Sequence, residues 1–392
     1  MRIYQAKDVF NASLDRIRYL FDEFENIVVG FSGGKDSTVT LELCLMVARE
    51  KNRLPLPVMW IDQEAEWQST VDYAEQVMTR PEVKPMWFQM PILMTNNAST
   101  FSRFSACWEK GDEVEWIHPQ HEISIKENVY GVNRFHDLFK AIFSVEFSEK
   151  KACYISGVRC EESPSRFMGL TSFATYKWVT WGAVLDKKQE HYTFYPLYDW
   201  SYKDIWAAIH RNQWTYNIVY DAFYRLGANI REMRVSNLHH ETAIHHLSQI
   251  HEIEPETWAR ITKRIGGANT IAHLNKNSFQ CPDKLPPMFD SWKEYAMHLA
   301  KNLVPNEKNR KDMLFRIEHM KGVKNLDGVY EAGNKYVHTD FFKAIINTIL
   351  SNDWDLTKLT NWEDSPNVSH FRKFIKTGVA TQKDKKNKYV TG

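Results

Sequence analysis

The chain is sparing with cysteine and never pairs it: Cys44, Cys107, Cys153, Cys160 and Cys281 stand far apart, with no Cys-x-x-Cys among them. That spacing argues against a zinc ribbon, a thioredoxin-like redox pair and a ferredoxin-type cluster, and it suits reduced thiols in a reducing compartment. Long apolar runs are missing too, so no segment is expected to span a bilayer, and residues 1–7 lack the apolar core of a signal peptide. The expected location is cytoplasmic. Neither sign of charge dominates: 50 Lys and Arg against 49 Asp and Glu leave a net +1. Overall charge therefore does not mark a nucleic-acid binder, although a local patch stays open. No internal repeat is visible. The 392 residues are long for one domain and suit two.

What is present is a short apolar run, Ile27, Val28, Val29, Gly30 and Phe31, that breaks into Ser32, Gly33, Gly34, Lys35, Asp36 and Ser37. The run is β-rich and too short for a buried helix, whereas Thr38, Leu41, Leu45 and Val47 resume at helical spacing. Two glycines between a strand and a helix let the backbone approach a ligand with no Cβ in the way. The helix that follows aims its first N–H groups and positive dipole end at the turn. Lys35 adds a point charge, and Ser32 and Ser37 add hydroxyl donors. An anion is expected there. The spacing is neither Gly-x-x-x-x-Gly-Lys-Ser/Thr nor Gly-x-Gly-x-x-Gly.

Around this turn the chain alternates. Leu14, Ile17, Leu20, Phe21 and Phe24 predict an amphipathic helix; residues 57–61, 86–90 and 152–156 read as strands, with helical stretches through Val71 to Val77 and Phe135 to Ile142. Residues 178–185 and 191–195 read as two strands joined by a polar turn. Ser201, followed by Asp204, predicts a helix opened by a capping-box variant. The expected fold is α/β, a parallel sheet wound by helices, with an α-rich C-terminal domain. Its domains are expected at 1–225 and 226–380, followed by a basic tail, 381–392, that is either solvated or touches phosphates. Periodicity fails between 91 and 120, where Asn96, Asn97, Ser99, Thr100, Ser102 and Ser105 surround aromatics, so this stretch reads as a lid or binding loop.

Open α/β sheets bind ligands beyond the carboxyl ends of their strands. Asp62, at the end of the second strand, suits Mg²⁺ or a ribose hydroxyl, or caps the next helix. Gly157, Arg159, Glu162 and Arg166 follow the 152–156 strand; the arginines offer forked donors for phosphate or sulfate, or else form a surface ion-pair cluster. His239, His240, Glu241, His245 and His246 tempt a metal reading, but the zincin spacing His-Glu-x-x-His is not met, since His240 and His245 are five apart.

Residues 32–37 match the Ser-Gly-Gly-x-Asp-Ser signature of the PP-loop ATP pyrophosphatase superfamily. Together with Gly157, Arg159, Glu162, Ser163 and Arg166, and with residues 195–206, they resemble the phosphoadenosine phosphosulfate reductase family across about 25–225. Residues 230–237, 255–261 and 266–269 look like the IbrA/YbdN-like branch of that family.

The resemblance implies an adenine nucleotide alpha hydrolase-like fold, with Ser32, Gly33, Gly34, Lys35, Asp36 and Ser37 binding phosphate. It puts Asp62, Gly157, Arg159, Glu162 and Arg166 around the nucleotide. Lys35, Asp62, Arg159 and Arg166 are implied in catalysis, and Asp36 and Asp62 in holding Mg²⁺ through the nucleotide phosphates. It further implies ATP as the nucleotide, cleaved between its α and β phosphates to adenylate an acceptor, with a ParB/sulfiredoxin-like protein or a nucleic acid as partner. Two alternatives stand beside this: a reductase or transferase acting on phosphoadenosine phosphosulfate, and a nucleotide-sensing or nucleic-acid-binding protein without turnover. The family's Glu-Cys-Gly-x-His nucleophile is missing, and residues 220–230 lack the cysteines of its iron–sulfur branch, so no cluster is expected.

Overall fold

The computed structural model describes residues 6–95, 104–230, 233–235, 244–265, 281–304, 307–319 and 336–350. They divide into two compact units, one carrying most of the chain up to Arg264 and the other the helices from Ile265 onward.

The first unit opens with helix α1 (Val9–Glu23), capped by the Asp8 side chain, which accepts from the Asn11 amide. Then come β1 (Asn26–Gly30), α2 (Lys35–Glu50), β2 (Leu56–Ile61), α3 (Gln68–Met78) and β3 (Val83–Phe88). A hairpin of β4 (Ile92–Thr95) and β5 (Phe104–Cys107) precedes α4 (Phe135–Glu146) and β6 (Ala152–Ile155). The remainder holds α5 (Pro164–Thr171), β7 (Gly182–Asp186), β8 (His191–Phe194), α6 (Tyr202–Asn212), α7 (Val219–Arg225), α8 (Ile244–Ile253) and α9 (Pro255–Arg264).

Six strands form one sheet in the order β3-β2-β1-β6-β8-β7. All neighbours run parallel except the β7 edge, which is antiparallel to β8. β1 sits in the middle, with Ile27 opposite Cys153 and Val29 opposite both Ile155 and Val58.

Strand periodicity explains the layering. Ile27, Val29, Val58 and Trp60 point to one face and pack with Leu14, Ile17, Phe21, Val39, Leu43 and Ile209. Val28, Met59, Ile61 and Phe88 point to the other and meet Leu138, Ile142 and Phe143. Both faces are covered, which is why β1 reads as a continuous apolar run rather than an alternation. Each such Ile, Leu or Phe contributes roughly 1.5–3 kcal/mol by leaving water. The expected α/β architecture, a parallel sheet wound by helices, is the one observed.

Three expectations shift. The 91–120 stretch is not irregular throughout: it opens with β4, and Trp108, Ile117 and His118 are buried; Asn96, Asn97, Ser99, Thr100 and Ser102 lie outside the described residues. The strand expected from Trp178 begins only at Gly182, because Tyr176 and Val179 close a tight turn with Lys177 at φ 50°.

The unit boundary also falls after Arg264 rather than after 225. The reason is polar anchoring that composition does not reveal. Glu254 caps α3 by accepting from the Gln68 and Ser69 amides at 2.7 and 2.9 Å, and Arg264 pairs with buried Glu64 at 2.9 Å. The second unit is helical, α10 (Trp292–Leu303), α11 (Glu307–His319) and α12 (Tyr336–Leu350), around Leu299, Met313, Ile317, Phe342 and Ile346. The tail 381–392 lies outside the described residues.

Candidate functional site

Strand order reverses direction about β1: β2 and β3 lie to one side, β6 and β8 to the other. The connections from β1 and β6 therefore diverge at their carboxyl ends and leave a crevice. A cavity of about 620 Å³ occupies it, lined by residues from the turn after β1, the segment after β6, and Tyr202, Tyr220 and Arg234.

The turn after β1 is fixed by its own small side chains. Phe31 continues the sheet by donating to the Met59 carbonyl at 2.9 Å. Gly33 turns at φ +67°, and a Cβ there would stand 2.6 Å from Thr70 Cγ2, so both conformation and space require glycine. Ser37 Oγ donates to the Gly34 carbonyl at 2.9 Å and accepts from the Ser32 amide at 3.2 Å, closing the loop onto the first turn of α2. Gly34 is the N-cap of α2, and no side chain caps it. Of the amides at that end, the Lys35 N–H is already taken: it donates to the Tyr220 hydroxyl at 3.1 Å.

Across the crevice, residues 157–166 bring the arginines. Gly157 lies so close to α2 that a Cβ would stand 2.8 Å from the Asp36 carbonyl, and this approach lets Arg159 reach the Asp36 carboxylate. Arg159 also donates to Glu161 at 3.1 Å and to the Trp200 carbonyl at 3.4 Å. Ser163 caps α5 by accepting from the Arg166 amide at 3.1 Å, with Pro164 at the first helical position, so Arg166 is presented on the first turn beside Glu162.

Lys35 is 3% exposed, 3.2 Å from Asp36 Oδ2, and donates to the Met233 carbonyl at 3.0 Å. Burial lowers its pKa, and the Asp36 charge offsets only part of that. Burial also lowers Arg166, helped by the like charge of Arg234. The site is thus a lattice of cations and carboxylates, with Lys35 and Arg159 buried at its base and Arg166 exposed at its rim, able to accept an anion by exchanging internal pairs for external ones.

The structure brings together Ser32, Gly34, Lys35, Asp36, Ser37, Gly157, Arg159, Glu162 and Arg166. Gly33 shapes the loop without lining the cavity. Asp62 stands apart from this cavity. It is fully buried, its carboxylate accepting from the Glu64 amide at 2.9 Å, Gln89 Nε2 at 2.9 Å and Trp87 Nε1 at 3.2 Å, with His118 Nε2 3.4 Å away at ion-pair range. It does not line the cavity. Of the expected Mg²⁺ ligands, Asp62 is held by three donors away from the cavity, and the two Asp36 oxygens each face one cation, Arg159 and Lys35. Among the described residues no group of three His, Cys, Asp or Glu is arranged for a metal ion. The 239–243 part of the histidine cluster lies outside the described residues, and the side chains of His245 and His246 are likewise undescribed.

Tyr220, Met233 and Arg234 join the site without a local sequence sign of it. Tyr220 and Arg234 stand in segments whose family likeness was visible, but their approach to Lys35 is long-range. The thiols offer no ready nucleophile. Cys44, Cys107 and Cys153 are buried with raised pKa values, and burial pushes Cys281, in the second unit, up to about 11.

Residues 26–231 match the phosphoadenosine phosphosulfate reductase domain, and residues 227–329 match the Domain of unknown function (DUF3440). The uncharacterized protein YbdN of Escherichia coli (strain K12) is 28% identical over 320 residues, 77% of this chain and 78% of that one. An adenosine 5'-phosphosulfate reductase of Lysinibacillus sphaericus (strain C3-41) is 24% identical over 222 residues, 56% and 79% of the two chains. Among solved structures, Candida glabrata FMN adenylyltransferase is 15% identical with a TM-score of 0.34, covering 56% of this chain and 62% of its own. Phosphoadenylyl-sulfate reductase from Candida auris is 14% identical with a TM-score of 0.32, covering 61% and 98%. Among the described residues no helix is long and apolar enough to cross a membrane.

Proposed function

The chain belongs to the phosphoadenosine phosphosulfate reductase domain family, and from that premise we propose that it is a nucleotide-dependent enzyme that takes ATP into the cavity at the carboxyl ends of β1 and β6. The observation that carries this is the convergence of the 32–37 turn with Arg159 and Arg166 on one cavity, from segments more than 120 residues apart in the chain. The β and γ phosphates sit against the turn and the N-terminus of α2, where the amide dipoles favour negative charge. An acceptor oxygen attacks the α-phosphorus; the bond from that phosphorus to the β-bridging oxygen breaks, and pyrophosphate leaves with the electron pair. Lys35 and the arginines stabilise the charge that builds on the leaving group and on the α-phosphate.

Incubation of the chain with ATP and candidate oxyanion or nucleic-acid acceptors, with and without a ParB/sulfiredoxin-like partner, is expected to release pyrophosphate, and Lys35→Ala is expected to abolish it. Equal background release by both proteins contradicts the reading.

A second reading, a reductase or transferase acting on phosphoadenosine phosphosulfate, is favoured by the likeness to adenosine 5'-phosphosulfate reductases. It requires a sulfur nucleophile, and burial raises the pKa of all five cysteine thiols of this chain. Calorimetry that finds the sulfonucleotide bound more tightly than ATP reverses the order.

A further inference from the structure

We infer that Arg234 is an anion-binding residue of this cavity, directed at the pyrophosphate portion of the nucleotide; this rests on the nucleotide reading above and names a residue that reading does not use. The cavity carries four cations, Lys35, Arg159, Arg166 and Arg234. Three already face carboxylates: Lys35 faces Asp36, Arg159 faces Asp36 and Glu161, and Arg166 faces Glu162. Among the described residues no carboxylate pairs with Arg234. A guanidinium half-shielded from water and, among the described residues, facing no carboxylate raises the potential of the cavity more than one already neutralised. It also gives an anion a partner without first breaking an internal pair.

Its placement selects the part of the ligand. Residues 233–235 are tied to the start of α2. Met233 accepts from Lys35 Nζ at 3.0 Å, and the Tyr220 hydroxyl, which accepts from the Lys35 amide at 3.1 Å, lines the cavity beside Arg234 and Val235. The hydroxyl thus stands between the helix N-terminus and this short segment. Arg234, next to Met233, is held beside the end of α2 where the terminal phosphates are seated, with Arg166 as the like-charged neighbour. Two guanidinium groups brought near each other suit a ligand with several adjacent oxyanions rather than one.

The test is calorimetric titration of the full chain with inorganic pyrophosphate, ATP and AMP. R234Q is expected to weaken pyrophosphate and ATP about tenfold or more while leaving AMP within about twofold, as loss of a charge-assisted contact implies. R225Q, on the exposed end of α7, is the control and is expected to bind like the parent. Thermal unfolding checks that R234Q is folded. Should it not be, R234K, which retains the stem and charge but not the fork, is expected to weaken pyrophosphate by a smaller factor, about threefold. Pyrophosphate affinity unchanged in a folded R234Q or R234K, while K35A loses it, overturns the role of Arg234 and leaves the nucleotide reading standing. Failure of the parent chain to bind either pyrophosphate or ATP overturns both.

Discussion

β1 and β2 lie side by side, and each leads into an acidic residue, yet the two carboxylates meet opposite fates. Asp36 keeps about a fifth of its side chain exposed and shares its oxygens with Lys35 and Arg159, both of which line an open cavity. Asp62 is sealed: amide, indole and carboxamide donors fill it, and Trp108, whose indole donates to the Asp62 carbonyl at 2.8 Å, closes over it. Close by, Glu64 is also enclosed, held by the amides of Trp108 and Ile117 and by Arg264. Position at a strand end makes a carboxylate eligible to meet a ligand. What later segments lay over it decides whether it does.

If that contrast is right, variants on the two sides separate stability from binding. The largest effect is expected from Asp62→Ala, which strands buried donors and should lower unfolding free energy by about 3 kcal/mol. Urea denaturation checks this, and the folded fraction should bind ATP within about twofold of the parent. A stable Asp62→Ala chain that no longer binds ATP would break the comparison. Lys35→Ala is expected to do the reverse, weakening ATP by about ten- to a hundredfold, or about 1.4–2.8 kcal/mol, with a smaller change in stability. Next comes Ser201→Ala, at the head of the helix whose first residue, Tyr202, lines the cavity. Loss of the observed capping box should cost about 1 kcal/mol in urea while leaving nucleotide affinity unchanged.

The finest distinction is in pH dependence. Burial alone would lower the His118 pKa, but the charge of Asp62 overcomes it and leaves the pKa raised. A histidine whose folded pKa is raised adds stability below its unfolded value near 6.5, and that contribution fades as pH rises through the folded value. Urea midpoints of the parent should therefore carry a falling component above about pH 6.5, and His118→Gln should remove that component. ATP affinity should not follow the same curve.

Much of the fold could be read from local pattern. Ile27 to Phe31, the helical spacing from Thr38, and Ser201 with Asp204 each declare their element within a few residues, because strand period, glycine pair and cap act locally. The meeting of the 32–37 turn with the 157–166 arginines was legible for the same reason, since the α/β topology sends both to one edge. What could not be read depends on contacts far along the chain. Nothing near Asp62 in the sequence shows that Trp108 and His118 cover it. Arg234 gave no local sign of its place, which depends on Tyr220 and Lys35. The extent of the first unit was hidden in single long-range contacts, the Glu254 carboxylate on the α3 amides and the Arg264–Glu64 ion pair, rather than in composition.

The most direct test is a crystal structure of the full chain with a non-hydrolysable ATP analogue. The account predicts phosphorus atoms seated against residues 32–37, within hydrogen-bond reach of Lys35 and Arg166, with Asp62 still enclosed by Trp87, Gln89 and His118. Phosphates bound anywhere else, or an opened Asp62 coordinating the nucleotide, would contradict it.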